Sequence, residues 1–310
     1  MPLNNENLKF VVGNYVPPTV SYVQNLIPTI LVAPAFNYEI DDYSGAVDPR
    51  DTKYAAYGEP TARGMQKTPK VGNTVRVSTA VRMDARCKST SLDFAKDQEK
   101  LIADAKKVLI DLLEKEIYDD LVTCTAKASA TYWSGKDIDT VLADIANTKD
   151  DIAKACGFQP NAIFGPPKVM NYLCNALMTA GIIPLDMGAR FLETGSIQIP
   201  RFSDMQLVSA NAMMPSSAGV WSNVWNTENC WMGYIDPKPA VASVSSTLGF
   251  KAESNIQQSG APFWIREIVE TEKGGHWRCE VHWERAWVKT NANAIRRLTN
   301  SAGNGILTAP

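Results

Sequence analysis

The sequence predicts an α+β fold, and three features of the chain favour it. Residues 1–82 are rich in proline and glycine and hold only short apolar runs. Residues 91–122 contain neither glycine nor proline and are typical of one long helix. From residue 137 onward, helical and strand-like segments alternate, and a β-hairpin is predicted near the C-terminus.

Length and composition are those of an ordinary globular protein, with 310 residues, 45% hydrophobic and 21% charged. A net charge of −2 at pH 7 gives no general basic excess for nucleic-acid binding. The start lacks the charged-then-apolar order of a signal peptide, and the most apolar early stretch is broken by Pro28 and Pro34, so it cannot span a membrane. Six scattered cysteines without a C-x-x-C pair favour free thiols in a reducing cytoplasm.

The first 90 residues are predicted to form an arm and a long loop. Residues 1–45 carry five prolines, so we expect an extended arm that neither holds a helix nor sits inside a sheet. The apolar part of this arm needs a surface to cover it. Residues 46–82 are dominated by glycine and proline and end in the alternating strand NTVRVSTAV. Such an excursion is a mobile lid or a loop that packs on another subunit.

Residues 93–121 are predicted to form a single helix roughly 43 Å long, at about 1.5 Å per residue. Leu109, Leu113, Ile117 and Leu121 recur at steps of four and mark an apolar stripe. A helix of this length is a spine for the fold, and we call it the spine helix.

The middle of the chain alternates between helix and strand. A helix is predicted in residues 137–157 with Gly157 as its stop, followed by a short buried strand, QPNAIFG. A second helix begins with proline in its first turn and ends at Gly181. Short strands and loops are predicted in MQLVSANAMMPSSAG and CWMGYIDP.

Both histidines of the chain, His276 and His282, lie in the segment GGHWRCEVHWERAW with Cys279 between them. This segment is the second of two alternating runs about Lys273-Gly274-Gly275, which is typical of a hairpin. In a strand Cys279 points away from both histidines, which lie about 20 Å apart at 3.3 Å per residue. We therefore expect no metal site, but a strand with an aromatic core face and a polar outer face.

No catalytic, cofactor-binding or metal residue is predicted. With two histidines in one strand, few catalytic triads are possible, and phosphate-loop and dinucleotide fingerprints are missing from the sequence. The Gly-Lys pair in SGKD, residues 134–137, lacks the other residues of a phosphate loop. The remaining candidates have simpler structural interpretations. Paired carboxylates occur at Asp41-Asp42, Asp119-Asp120 and Asp150-Asp151, and the two pairs on predicted helices are most simply solvated faces. Basic residues are expected in intersubunit salt bridges or on a solvated face (Arg76, Arg82, Arg86, Lys88), and tryptophans as core or interface anchors (Trp221, Trp225, Trp231).

The order of these parts resembles the major capsid protein of tailed bacteriophages, the Hong-Kong-97-type fold that encapsulin shells share. The segment DIDTVLADIANTKDDIAKACGFQPNAIFGPPKVMNYL resembles the family's helix, strand and second helix, and LVSANAMMPSSAG resembles its Val-x-Ser-x-x-Met-Pro-x-Gly segment. The closing FWIREIVETEKGGHWRCEVHWERAWVKT is similar to the family's terminal strands. The likeness covers most of the chain, and the order and length of the parts carry it.

The resemblance implies five parts: an N-terminal arm at 1–45, an extended loop at 46–90, a peripheral domain with the spine helix at 91–135, an axial domain at 136–249, and C-terminal strands at 250–310 that return to the peripheral domain. It also implies pentamers and hexamers that close into an icosahedral shell around double-stranded DNA, in a virion assembled in the cytoplasm of a bacterial host. A portal and a separate scaffolding protein are the expected partners, with a processed form of the chain as the alternative to the separate scaffold, and the use of a decoration protein stays open. Some members join subunits by Lys–Asn bonds; Lys53, Lys67 and Lys70 lie in the loop, but no motif identifies a partner for them.

Two other functions stay open at this point. An encapsulin-like compartment would keep the fold and enclose cargo instead of DNA. A soluble hydrolase or binding protein would use residues 46–82 as a mobile lid. If the arm serves assembly alone, deletion of residues 1–30 leaves a subunit that folds but no longer forms uniform shells.

Overall fold

A computed structural model provides the structure of the chain. The residues that it describes, to which every structural statement below refers, are 22–32, 37–44, 66–84, 94–128, 133, 138–199, 205–215, 221–237, 247–254, 263–270 and 276–299.

A five-stranded sheet is built around one long strand. Its strands are β1 (Thr29–Val32), β4 (Val75–Asp84), β12 (Gly249–Ser254), β13 (Phe263–Glu270) and β14 (His276–Lys289). Strand β14 pairs antiparallel with β4, β12 and β13, whereas β1 adds parallel to β12. The predicted hairpin is confirmed, since β13 and β14 pair antiparallel across eight residues. The N-terminal segment reaches the sheet as β1, which among the described strands pairs with β12 alone. Pro28 directly precedes β1, a position that proline tolerates because it lies before the first residue of the strand.

The spine helix, α1, spans Phe94–Val122 and packs against this sheet. The predicted stripe is confirmed: Leu109, Leu113, Ile117 and Leu121 are at most 1% exposed. Their neighbours in the core include Phe263, Trp277 and Val281 from the sheet.

A two-stranded hairpin precedes β4. Strand β2 (Asn37–Ser44) pairs antiparallel with β3 (Gln66–Asn73), and Thr74 alone separates β3 from β4. The hairpin therefore begins at Asn37, inside the segment expected to be arm, because β2 supplies the partner that β3 needs. Residues 45–65 lie outside the described residues.

A second sheet has six strands, in the order β5-β15-β11-β6-β8-β7. Their bounds are β5 (Ala126–Ala128), β6 (Ala162–Gly165), β7 (Ser196–Ile199), β8 (Met205–Ser209), β11 (Cys230–Gly233) and β15 (Ile295–Thr299). The last described strand, β15, thus lies between β5 and β11 and not in the five-stranded sheet. A separate pair, β9 (Met213–Pro215) and β10 (Trp221–Asn223), is antiparallel.

Three helices accompany the six-stranded sheet: α2 (Ile138–Cys156), α3 (Pro167–Thr179) and α4 (Leu185–Thr194). The predicted helix ends are confirmed. Gly157 and Gly181 have φ of 82° and 67°, and Pro167 stands in the first turn of α3. These helices and the sheet share a core that includes Ile145, Leu173 and Leu207.

The first described residues belong to the main core. Tyr22, Val23 and Ile27 are at most 3% exposed, and a 3₁₀ helix spans Val23–Asn25. They pack on the spine helix as well as on the sheet's side of the core. The expectation that residues 1–30 can be removed without harm to folding therefore does not fit, because the deletion removes core side chains.

Candidate functional site

Strand β14 holds the histidine-rich segment, and its odd-numbered face is the predicted core face. Trp277, Cys279, Val281 and Trp283 are at most 5% exposed. The face continues to Arg285, which is 3% exposed and points to the spine helix. The aromatic character of the segment is thus explained by the packing of a sheet on a helix.

The even-numbered face differs from the expected polar outer face. His282 is 9% exposed and Glu284 only 1%. The His282 ring stacks on Trp264 of β13 with centroids 4.0 Å apart, and Thr74 Oγ1 donates to Glu284 Oε1 at 2.9 Å. The sequence prediction was wrong for these two residues, because neighbouring strands cover them.

The surroundings of His282 shift the equilibrium of its imidazole toward the neutral form. Burial lowers the pKa of its imidazole, and Glu280, with Oε2 3.4 Å from Nε2, opposes this shift without hydrogen-bond geometry. Arg76, whose guanidinium lies 5.0 Å from the Trp264 ring centre, adds to the lowering. Within the described ranges no group of three or more His, Cys, Asp or Glu side chains could hold a metal ion.

A buried carboxylate on the spine helix holds the N-terminal segment. Glu114 is 0% exposed, and its Oε1 accepts from the backbone N–H of Val23 at 2.8 Å while its Oε2 accepts from that of Gln24 at 3.0 Å. The indole Nε1 of Trp225 donates to Oε1 at 3.1 Å. Burial raises the pKa of Glu114 to about 7, against the three N–H donors, which lower it. We call this arrangement the Glu114 clamp.

Two further contacts extend the clamp along the helix. The Tyr22 hydroxyl donates to Asp111 Oδ1 at 2.8 Å, and the Gln24 side-chain amide donates to the carbonyl of Ile110 at 3.0 Å. Burial raises the pKa of Asp111, which is 1% exposed, although the Tyr22 hydrogen bond and Lys107 oppose the shift. Four hydrogen bonds thus hold residues 22–24 against one and a half turns of the spine helix.

Charged pairs also join the spine helix to strand β14. Both terminal nitrogens of Arg285 donate to the carboxylate of Glu116. Asp120 accepts from Trp287 Nε1 at 3.0 Å and from Lys289 Nζ at 2.8 Å. Asp120 therefore links two elements and is not simply part of a solvated face, whereas Asp119 is exposed and pairs with Lys115 one turn away.

An aromatic cluster in the main core joins the spine helix to strand β11 of the six-stranded sheet. Trp225 and Trp231 are fully buried, their ring centroids 5.1 Å apart, and Tyr118 of the spine helix contacts both edge-on. Trp231 Nε1 donates to the carbonyl of Leu121 at 3.1 Å. The prediction of core anchors is confirmed for these two tryptophans. Trp221 is 53% exposed and stays a candidate interface anchor.

The other candidates do not converge on one site. Asp150 is exposed on α2. Arg76 and Arg82 are exposed on β4. Lys67 and Lys70 lie on β3, and Asp41-Asp42 on β2, at positions whose side chains are not described. Residues outside the described ranges are Lys53, Arg86, Cys87, Lys88 and the SGKD segment. The five described cysteines are free thiols, four of them buried.

Sequence reasoning missed the Glu114 clamp, although the sequence contains a signal for it. Glu114 follows Ile110 by four residues and precedes Ile117 by three, which places a carboxylate on the apolar stripe. A charge in that position is stable only when donors surround it. The donors come from residues some 90 and 110 positions away, and no local pattern connects them.

In sequence the chain matches no protein-family model and no curated protein. In structure it is similar, over nearly its whole length, to a phage-related protein from Bordetella bronchiseptica, with a TM-score of 0.62 and 13% identity over 98% of this chain and 100% of that one. The capsid structure of cyanophage P-SCSP1u is similar with a TM-score of 0.55 and 6% identity, over 92% of this chain and 90% of that one. The encapsulin complex of Synechococcus elongatus is similar with a TM-score of 0.56 and 10% identity, over 97% of this chain and 96% of that one.

The chain has the Hong-Kong-97-type capsid fold. This confirms the predicted fold class, an α+β chain with a long spine helix and an extended hairpin. At identities of 13% and below, the likeness establishes the fold alone. No described helix of this fold is long and apolar enough to cross a membrane.

Proposed function

We propose that the chain is a major capsid protein that assembles as pentamers and hexamers into an icosahedral shell around double-stranded DNA. The observation that carries this proposal is the agreement in fold over 92–98% of the chain with phage-related and capsid structures. Coverage this high is expected when two chains share a whole architecture and not one small domain.

The surfaces of the chain suit a subunit of an assembly. Trp221, Leu185 and Leu192 are 53%, 80% and 60% exposed. Large apolar side chains that stand in water on one subunit are suited to contacts with the next. A shell built from one chain needs contacts between unlike surfaces, which close by symmetry.

The proposed domain division follows the sequence analysis with two adjustments. Arm, loop, peripheral domain, axial domain and C-terminal strands keep their order. We assign β2 to the loop, because it pairs with β3, and we assign β5 and β15 to the axial sheet, because they hydrogen-bond within it. The five-stranded sheet and the spine helix then make up the peripheral domain.

In this proposal the role is mechanical and no residue is assigned a catalytic task. A net charge of −2 suits a shell lining, since tight phosphate binding would hinder the movement of packaged DNA. The proposed setting is a virion assembled in a bacterial host, with a scaffolding protein and a portal as partners.

An encapsulin-like compartment is the second candidate, favoured by the similarity to the Synechococcus elongatus encapsulin complex. Both candidates share self-assembly and differ in what the shell contains. The contents of purified particles therefore separate them.

The test is negative-stain electron microscopy of the purified chain, together with sedimentation velocity. We expect uniform closed shells tens of nanometres wide. A discrete species of one to a few subunits, even with scaffolding protein supplied, would overturn the proposal. Nuclease-protected DNA inside particles isolated from the source cells supports the capsid, and protein cargo without DNA supports the compartment.

A further inference from the structure

Two buried carboxyl groups of the spine helix face the same short segment of chain. Glu114 is 0% exposed, and Asp111, one turn earlier, is 1% exposed. Both accept hydrogen bonds from residues 22–24: Asp111 from the Tyr22 hydroxyl, and Glu114 from two backbone N–H groups. The attachment of this segment to the helix therefore depends on two groups that can gain or lose a proton.

Residues 22–27 can move as one unit, because a set of their hydrogen bonds lies within the segment. The backbone N–H groups of residues 25–27 each donate to the carbonyl three positions earlier. At its far end the segment is tethered to the five-stranded sheet, where the carbonyl of Pro28 accepts from the backbone N–H of Lys251 at 2.9 Å and β1 pairs with β12. A segment that leaves the helix would thus stay joined to the sheet.

The segment brings no charge that could neutralise an ionised Glu114. Residues 22–28, with the sequence YVQNLIP, contain no charged side chain. Burial raises the pKa of Glu114, and the charge of Asp111 on the same helix raises it further. At Asp111 burial also raises the pKa, and Lys107 opposes that shift. The third donor to Glu114, Trp225, is an uncharged indole.

The five-stranded sheet supplies cations near the clamp, and other carboxylates share them. Burial lowers the pKa of the Lys251 amine on β12, and both Glu253 and Glu114 raise it. Arg285 of β14 donates to the carboxylate of Glu116. An ionised Glu114 therefore depends chiefly on its three N–H donors, two of which belong to the segment.

We propose that the Glu114 clamp is a proton-controlled latch. A proton on Glu114 keeps residues 22–27 packed on the spine helix, and loss of that proton favours their release while the helix and the sheet stay folded. An ionised carboxyl recovers its hydration when the segment leaves, whereas a protonated one has much less hydration to recover. The proposal concerns a single subunit and does not depend on the assembly of a shell.

The latch holds best at acid pH. The pKa of Glu114 is about 7 in the closed clamp, against 4.5 for an exposed glutamate. The stabilisation of the packed segment is therefore complete below pH 4.5 and is lost as pH rises through 7. Leu113 and Trp277 belong to the part of the core in which the helix meets the sheet, so the segment can open without the unfolding of that core.

The test is hydrogen–deuterium exchange of the full-length chain at pH 5 and pH 8, read by mass spectrometry after digestion. Labelling times are scaled for the intrinsic pH dependence of amide exchange. Protection of the amides in residues 22–27 should fall at least tenfold from pH 5 to pH 8, because release exposes the carboxyl of Glu114. At pH 8 this protection should also be at least tenfold lower than that of residues 101–121 in the spine helix, since the opening is local.

Two variants assign the effect to one carboxyl group. Glu114→Gln has no proton to lose and should reduce the fall in protection to a third or less of the wild-type fall. Asp119→Asn, which changes an exposed carboxylate on the same helix, should show the full fall. An equal fall in Glu114→Gln and in the wild-type chain would overturn the latch.

The wild-type chain alone also decides the matter, should Glu114→Gln fail to fold. Protection of residues 22–27 that does not change between pH 5 and pH 8 would overturn the proposal. Equal protection of these residues and of the spine helix at both pH values would do the same, because the segment would then open only when the whole chain unfolds.

Discussion

Glu114 accepts a hydrogen bond from the backbone N–H of Val23 at 2.8 Å, across 91 residues of sequence. The carboxylate is fully buried, and its three donors come from two segments that are distant in sequence, Val23-Gln24 and Trp225. One side chain on the spine helix thus fixes the N-terminal segment and the tryptophan cluster at the same point. These three N–H donors offset part of the cost of burying the carboxyl group, and burial still raises its pKa to about 7.

Replacement of Glu114 by alanine should lower the free energy of unfolding by about 3 kcal/mol or more. Three buried N–H groups then lose their acceptor, at about 1–3 kcal/mol each. Urea unfolding followed by tryptophan fluorescence measures the change. Asp119→Ala is the matched control, because Asp119 is an exposed carboxylate on the same helix, and it should shift stability by less than about 0.5 kcal/mol. Equal losses in the two variants would contradict the clamp.

The stability of the wild-type chain should fall as pH rises from 5 to 8 through the titration of Glu114. Its pKa is about 7 in the folded chain and 4.5 when exposed, so between these values the folded state holds a proton that the unfolded state has lost. The stabilising contribution is complete below pH 4.5, is lost as pH passes 7, and amounts to about 3 kcal/mol.

Comparison with Glu114→Gln isolates this carboxylate, because other groups titrate in both chains. Burial raises the pKa of Asp111 and Glu253, which act in the same direction, and lowers that of His282, which acts in the opposite direction. We expect the difference in unfolding free energy between pH 5 and pH 8 to be smaller in the variant. An identical difference in both chains would refute the assignment.

The pair Arg285–Glu116 should contribute more than a surface ion pair. Arg285 is 3% exposed and donates from both terminal nitrogens, so Arg285→Ala leaves Glu116 without its partner and opens space under β14. Because the Glu116 side chain is 42% exposed, most of the expected loss, about 1–3 kcal/mol by thermal or urea unfolding, comes from the lost packing of Arg285, including its contact with the Trp283 ring. Lys115→Ala breaks the exposed pair with Asp119 and should cost less than about 0.5 kcal/mol. A loss below 1 kcal/mol for Arg285→Ala would show that the pair behaves as a surface pair.

Gly249→Ala should destabilise the five-stranded sheet through a steric clash. A Cβ at this position would lie 2.4 Å from the carbonyl oxygen of Val288 and 2.5 Å from the ring of Trp287. That ring cannot swing away freely, because its Nε1 donates to Asp120. We expect a loss of about 2 kcal/mol or more. At Gly157 a Cβ meets nothing within 4 Å, and alanine there costs only the positive φ, about 1 kcal/mol. If Gly157→Ala proves the more harmful of the two, the clash is not decisive.

Two truncations test which part of the N-terminal arm the subunit needs in order to fold. Deletion of residues 1–21 should leave a folded subunit, since Tyr22, Val23 and Ile27 remain in the core. Deletion of residues 1–30 removes these side chains and leaves Glu114 without two of its donors. We expect a cooperative unfolding transition from the first chain and a much weaker one, or none, from the second. Comparable transitions would show that the buried N-terminal residues contribute little.

The sequence predicts the elements of this fold better than it predicts their contacts. The bounds of the spine helix and the stops at Gly157 and Gly181 follow from residues that lie next to each other in sequence, where a 3.6-residue period or a positive φ is a local property. The parallel pairing of β1 with β12, more than 200 residues apart, has no local signal. Nor does the place of β15 beside β11.

The same limit explains the outcome for β14. The alternation of side chains along the strand predicted its core face correctly. This face consists of apolar residues at every second position, a pattern that can be seen within the strand itself (Trp277, Cys279, Val281, Trp283). Alternation could not show that Trp264 of β13 stacks on His282, or that Thr74, between β3 and β4, donates a hydrogen bond to Glu284. Polar residues on a strand predict the face on which they lie, and their burial depends on the neighbours that the topology supplies.

The junction at Thr74 has a mechanical consequence. The hairpin of β2 and β3 runs into β4 with this one residue between them, and β4 is hydrogen-bonded to β14 over ten consecutive residue pairs. Tension applied to the hairpin enters the sheet at one end of this ladder, where the buried Thr74–Glu284 hydrogen bond lies. Force directed along the strand shears the ladder as a whole instead of opening it pair by pair. The contact between Arg285 and Glu116 then transmits part of this load to the spine helix, which is 29 residues long. A force on the hairpin is therefore distributed over the sheet and the spine helix together.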